Sequence, residues 1–207
     1  MRKTIPLFPL NLVPFPGEDL NLHIFEERYR QLINDCNENN LTFGVVPLID
    51  GVLSNVGTEF KLVEISQIYE DGRMDIKTKG LAAFQLLDYS LILNDKLYPG
   101  GDVDILEDEN STDFKLKVKI IKLREELYEV MGLDPKLKIN IDTMLSYDIA
   151  HELAMSIEQE IELLSLRSEI KRLVYLHDHL QRILPSIMGL KEMKRKVKLN
   201  GHFKKVP

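Results

Sequence analysis

The apolar period changes once along this chain, and that change limits the fold more than any single residue does. Up to about residue 107 the apolar residues alternate or sit in short runs broken by Pro, Gly and Asp-Gly. After the polar stretch "EDENSTD" (107–113) they recur every three to four residues. The first part reads as five or six strands with one short helix near Glu26 to Asn37, where Tyr29, Leu32, Ile33 and Cys36 recur at helical spacing. It has no alternation of strand and helix, so it points to a small mixed or antiparallel barrel. The second part reads as helices: about Thr112 to Gly132, Asp142 to Met155, a short one opened by the Ser156/Gln159 capping box, and Ser168 to Leu184, stopped by Pro185. The expected architecture is α+β, with a β domain over 1–107, a helical domain over 108–185 and a basic, flexible tail over 186–207.

Finer expectations follow from local chemistry. Proline cannot donate to a ladder, so "TIPLFPLNLV" should be an edge strand or carry bulges. "GTEFKLVEISQIYEDGRMDIKTKG" should be a hairpin, with Asp71-Gly72 in a type I′ turn. In the first long helix Phe114, Val118, Ile121, Leu123 and Leu127 should form the buried face; in the last one Leu173, Leu176, Leu180 and Ile183/Leu184 should.

Charge and cysteine content narrow the function classes. The net charge is −6, but residues 186–207 hold seven Lys or Arg against one Glu, which leaves −12 on the remainder. An acidic body disfavours nucleic acid and anionic membrane, and only the tail could attract either. Cys36 is the sole cysteine, so no intrachain disulfide forms and a reducing, cytoplasmic location is expected. No apolar run approaches the roughly 20 residues of a membrane helix. The start "MRKTIPLFPLNLVPFPG" holds four prolines, which argue against a signal peptide and for mature structure.

No catalytic or metal constellation stands out. "HELAM" (151–155) has Met155 where a zinc-protease helix needs its second histidine, and His177 and His179 are spaced so that they do not face each other. Phosphate loops and nucleophile elbows are absent from the sequence. Cys36 lies on an apolar helix face and reads as a small buried hydrophobe. No cofactor is expected. The densest polar stretch, "LHIFEERYRQL" (22–32), lacks a reacting partner, and its side chains read as scaffold: His23, Glu26, Arg28 and Tyr29 should tie the helix start to the barrel, with Arg28 in a buried charged network.

Those residues also carry a resemblance. Pro6–Leu10, Val13–Gly17, His23–Tyr29 and Phe43–Val46, then the Asp71-Gly72-Arg73 hairpin tip and Leu163, Leu164, Arg172 and Leu173, resemble in order the motifs of the Lon protease substrate-binding (N-terminal) domain family. The likeness spans roughly residues 3–185. It departs at Ala83, where the family often has arginine. The resemblance implies a PUA-like β-barrel followed by a helical bundle, in a stand-alone form, since the sequence stops short of an ATPase or protease domain. It further implies a non-enzymatic module for unfolded or apolar polypeptide segments, for which a separate ATP-dependent protease is a candidate partner. The alternative is nucleic-acid binding through the basic tail. Self-association stays open. The expected contact surface is Val13, Pro14, Phe15 and Pro16, with Phe15 presented by a proline-stiffened loop; in the competing reading Phe15 plugs the barrel.

Overall fold

Two prolines dictate how the first strand is used. In the computed structural model β1 (Arg2–Leu10) pairs antiparallel with β7 (Gly100–Ile105) from Arg2↔Asp104 to Pro6↔Gly100, and parallel with β3 (Thr42–Ile49) from Leu7↔Gly44 to Leu10↔Pro47. The Ile105 N–H donates to Met1 O at 3.0 Å and the Leu7 N–H to Pro99 O at 2.8 Å, so odd residues of β1 turn their backbone groups to β7 and even ones turn theirs away. Pro6 therefore faces the side that β3 has not yet joined, and Pro9 the side that β7 has already left. Each proline falls where no ladder bond is available, so the strand needs neither an outer edge position nor a bulge to hold them.

β5 (Val56–Ile68) pairs with β3, β6 (Met74–Ser90) pairs with β5, and β7 pairs with β6, which closes the ring β1-β7-β6-β5-β3-β1 into a barrel. β2 (Asp19–Ile24) runs along the first half of β6, outside the ring, and β4 (Val52–Leu53) is a short partner of β3. The strands carry an apolar layer on each side. Ile5, Leu7, Val46, Phe84 and Val103 form one. Gly44 and Gly57 open it for the Phe84 ring, which a Cβ on either would meet at 2.8 Å and 2.7 Å respectively. Phe8, Phe43, Val45, Phe60 and Ile76 form the other, beneath α1 (Glu27–Asn39), which contributes Tyr29, Leu32, Ile33 and Cys36 as its period requires.

The β5–β6 hairpin turns at Asp71-Gly72, but not as type I′. Gly72 alone has positive φ (81°), and its N–H donates to Tyr69 O at 2.9 Å, so Glu70 and Asp71 occupy a type I turn followed by a left-handed glycine. Two adjacent positive-φ residues with a hydrogen bond across them occur instead at Asn94 (45°) and Asp95 (61°), where the Lys96 N–H donates to Leu93 O at 2.9 Å.

The structure describes residues 1–109, 111–134 and 139–201. It divides into two units: Met1–Glu109 with Ser156–Arg167, and Asn110–Met155 with Ser168–Pro207. Helix α3 (Ile157–Ser165), which the sequence places in a contiguous helical domain, belongs to the barrel unit and contacts β5 and β6. Its capping box is present, with Gln159 N–H to Ser156 Oγ at 3.3 Å and Ser156 N–H to Gln159 Oε1 at 2.9 Å.

In the second unit α2 (Phe114–Met131) is capped by Asp113, whose side chain accepts from Leu116 N, and ends at left-handed Gly132. Its buried face runs through Lys117, Ile120, Ile121, Arg124 and Leu127, a turn's fraction away from the expected one, and Phe114 is exposed. A 3-10 helix (Ser146–Glu152) replaces the expected α-helix over 142–155. In α4 (Glu169–Gly201) Leu173, Leu176, Leu180 and Leu184 are buried, as their spacing requires. Pro185 does not end α4. It removes one helical hydrogen bond, to the carbonyl of exposed Gln181, which water can reach, and the helix continues through most of the basic segment read as a flexible tail. Residues 202–207 of that segment lie outside the described residues.

The buried polar network lies here and not in the opening stretch. Glu169 accepts from Ser146 N–H at 2.7 Å and Ser146 Oγ at 2.8 Å, and from Arg172 Nη2 at 2.9 Å, while the Arg172 guanidinium lies 4.5 Å over the Tyr147 ring. Arg124 is also buried and donates through Nε to Glu152 at 2.8 Å.

Candidate functional site

The loop expected to present Phe15 is tied down. Thr58 Oγ1 donates to Pro14 O at 2.6 Å, Gly17 N–H to Gly80 O at 3.1 Å, and Gly80 N–H to Glu18 O at 2.8 Å. A Cβ on residue 80 would meet Phe15 O at 2.7 Å, so glycine is what permits this approach. Phe15 is 0 % exposed, Val13 and Pro14 are buried and Pro16 is half-buried. Of these four residues only Pro16 keeps any exposed surface. The prolines preset the path of a loop that folds onto the barrel, and hydrophobicity then carries Phe15 inward.

The scaffold residues spread along the hairpin and its flank. His23 pairs with Asp75 at 2.6 Å, and the Tyr69 hydroxyl donates to the other Asp75 oxygen at 2.7 Å. The Tyr69 and His23 hydrogen bonds, in that order, hold the Asp75 carboxyl below the usual carboxylate range. Asp71 is likewise lowered, first by the Arg73 backbone N–H and then by its side chain. Arg28 is exposed, not buried: it pairs with Glu26 at 2.7 Å and lies 4.6 Å over the Tyr29 ring, itself stacked on Phe8 at 3.9 Å. A helix that starts at the rim of a sheet lets a long side chain reach water while its stem covers an aromatic face, which is why Arg28 escapes burial. His151 is exposed, and Glu152 serves Arg124.

One described concave surface lies outside every motif of the sequence but for Pro6. A cleft of about 410 Å3 opens beside β1. Its floor is β1 from Lys3 to Pro6, and its walls are Leu41 and Thr42 on one side and Leu93, Lys96 and Tyr98 on the other. The second wall exists because the Asn94-Asp95 turn folds the β6–β7 connection back on itself, with the Leu93 N–H donating to Tyr98 O at 3.1 Å. Gly100 lets Leu93 lie flat, since a Cβ there would meet its side chain at 2.7 Å. α1 anchors this connection: Gln31 accepts the Leu97 N–H at 2.7 Å and Asp35 the Tyr98 hydroxyl at 2.7 Å. Leu41 on the first wall is exposed, and so are Leu91 (74 % exposed), Ile92 (62 %) and Leu97 on the connection that carries the second wall.

The lysines at the cleft are already neutralised. Lys3 pairs with the buried Glu59 at 2.6 Å, and Lys96 with Asp35 at 2.9 Å. Burial pushes the Asp35 carboxyl up, but the Lys96 and Tyr98 hydrogen bonds outweigh it and leave the group below its ordinary value. Burial, and then the hydrogen bond to Asp35, raises Tyr98. An uncharged, apolar-rimmed cleft takes up apolar side chains. The signal for it in the sequence is "LILNDKLYPG" (91–100), an apolar run that breaks the strand alternation and encloses an Asn-Asp turn.

The barrel unit is thus a closed ring of strands roofed by α1 and contacted by α3, with an apolar-rimmed cleft beside β1. The model of the ATP-dependent protease La (LON) substrate-binding domain matches residues 4–182, and the chain belongs to that family. Among solved structures it is similar to the Lon N-terminal domain protein from Xanthomonas campestris, at 25 % identity and TM-score 0.67 over 84 % of this chain and 96 % of that one. It also shares the fold of the N-terminal domain of the Mycobacterium avium complex Lon protease, at 13 % identity and TM-score 0.61 over 86 % and 98 % of the two chains. No curated protein matches the chain. No helix among the described residues is long and apolar enough to cross a membrane.

Proposed function

We propose that this protein is a non-enzymatic module that captures unfolded or apolar polypeptide segments, and that the cleft beside β1 is where it does so. The supporting observation is a cleft lined by exposed Leu41 and by Leu93, whose lysines are paired internally, with Leu91, Ile92 and Leu97 exposed on the same β6–β7 connection that supplies Leu93. Exposed apolar side chains gathered at a concave site are a cost in a free domain and a gain in a complex. Family membership supports the choice of polypeptide as the ligand. The neutralised lysines leave this face without the free positive charge that nucleic acid requires.

The test is a titration with a permanently unfolded protein, reduced and carboxymethylated α-lactalbumin, read by fluorescence anisotropy. Leu41→Asp and Ile92→Asp each remove an apolar contact worth roughly 1.5–3 kcal/mol, so affinity should fall about ten- to a hundredfold while the melting temperature holds. Unchanged affinity in both variants refutes the assignment of the cleft.

A further inference from the structure

The floor of the cleft is a strand edge. Odd residues of β1 bond to β7, so the N–H and C=O groups of Arg2 and Thr4 point the other way, and β3 joins that side only from Leu7. Over Arg2–Pro6 one side of β1 thus offers a short row of backbone donors and acceptors, ended by Pro6, which has no N–H to give. Apolar Leu41 and Leu93 stand beside it.

Other edges of the same sheet are defended. Along its outer stretch β5 carries register shifts between Leu62/Glu64 and Ile65/Gln67, and irregularities of this kind twist an edge away from new partners. β2 is lined by the ion pairs Asp19–Lys79 and His23–Asp75. The stretch of β1 in the cleft pairs with β7 without a register shift.

We infer that a captured segment binds as an added β-strand on β1, its backbone paired with Arg2 and Thr4 and an apolar side chain seated in the cleft. This rests on the reading of the cleft as a polypeptide site and specifies its ligand: an extended segment with apolar residues at alternate positions, recognised through its main chain and therefore tolerant of sequence. The short length of the free edge confines ordered contact to a few residues.

The probe is a short acetylated peptide in which leucine or valine alternates with serine or threonine, added in excess to the intact protein. Strand addition slows hydrogen exchange at the Thr4 amide by about tenfold or more and leaves the Lys3 and Ile5 amides, already bonded to β7, as they were. Single N-methylation along the peptide weakens binding about tenfold at every second amide within the paired stretch and little at those between. If the peptide binds but Thr4 exchange is unchanged, or N-methylation shows no alternation, strand addition is wrong and capture by the cleft survives. If the peptide fails while unfolded α-lactalbumin binds, strand addition is again wrong. If neither binds, both readings fall.

Discussion

Phe15 and Arg28 exchange the roles their neighbourhoods suggest. A phenylalanine between two prolines invites presentation, yet it is buried. An arginine among acids and aromatics invites burial, yet it stands in water. Phe15→Asp should therefore destabilise the protein by several kcal/mol, because it forces a carboxylate into an apolar site. Arg28→Ala should cost under about 1 kcal/mol, the range for an exposed pair. The large charged-group effect belongs to Arg172: its removal leaves Glu169 buried and uncompensated, and Arg172→Ala should cost roughly 3–5 kcal/mol by chemical denaturation. Cys36 behaves as its helical spacing indicates: burial pushes its thiol up to about 12, so a thiol reagent should modify it only under unfolding conditions. What the sequence leaves hidden at this scale is direction. Spacing along α1 fixes which residues face the sheet, whereas the fate of Phe15 depends on Thr58 and Gly80, more than forty positions away.

Helices and turns were legible where their signals are local. The Ser156/Gln159 box, the Gly132 stop and the leucine stripe of α4 all lie within a turn or two of what they control. Pro185 misleads because its cost of one hydrogen bond is small against the packing of a long helix. At the hairpin tip Gly72→Val should still destabilise, since a β-branched residue resists φ of +81°. The 3-10 helix is held partly by His179, buried on α4, whose Nε2 donates to Leu153 O at 2.9 Å and whose Nδ1 has no partner among the described residues. Burial lowers this group, with Arg182 adding in the same sense against the Leu153 bond. A histidine depressed in the folded state contributes stability above its unfolded value of about 6.5, and that contribution fades as pH falls towards the folded value. Urea midpoints should therefore drop between pH 7 and pH 5, and His179→Gln, which keeps a donor to Leu153, should flatten the drop.

For the molecule as a whole, the ordered motifs and the single change of period made the barrel-plus-helices architecture readable, and family membership bears it out. The cleft was not readable, because its floor, two walls and anchor come from residues 3–6, 41–42, 93–98 and 31–35, which only closure of the barrel brings together. The excursion of α3 has a consequence for synthesis. The chain leaves the barrel unit at Glu109, builds residues 110–155 elsewhere, and returns with Ser156–Arg167 before leaving again. The ring of strands can close once Ile105 is made, but the surface that α3 covers waits until most of the protein has been synthesised, with the site for buried Leu163 and Leu164 uncovered in the meantime. A fragment ended at Glu109 would keep that gap permanently; it should aggregate, and a separately added 156–167 peptide should restore its solubility. The order of translation, and not a boundary in space, decides when this barrel is covered.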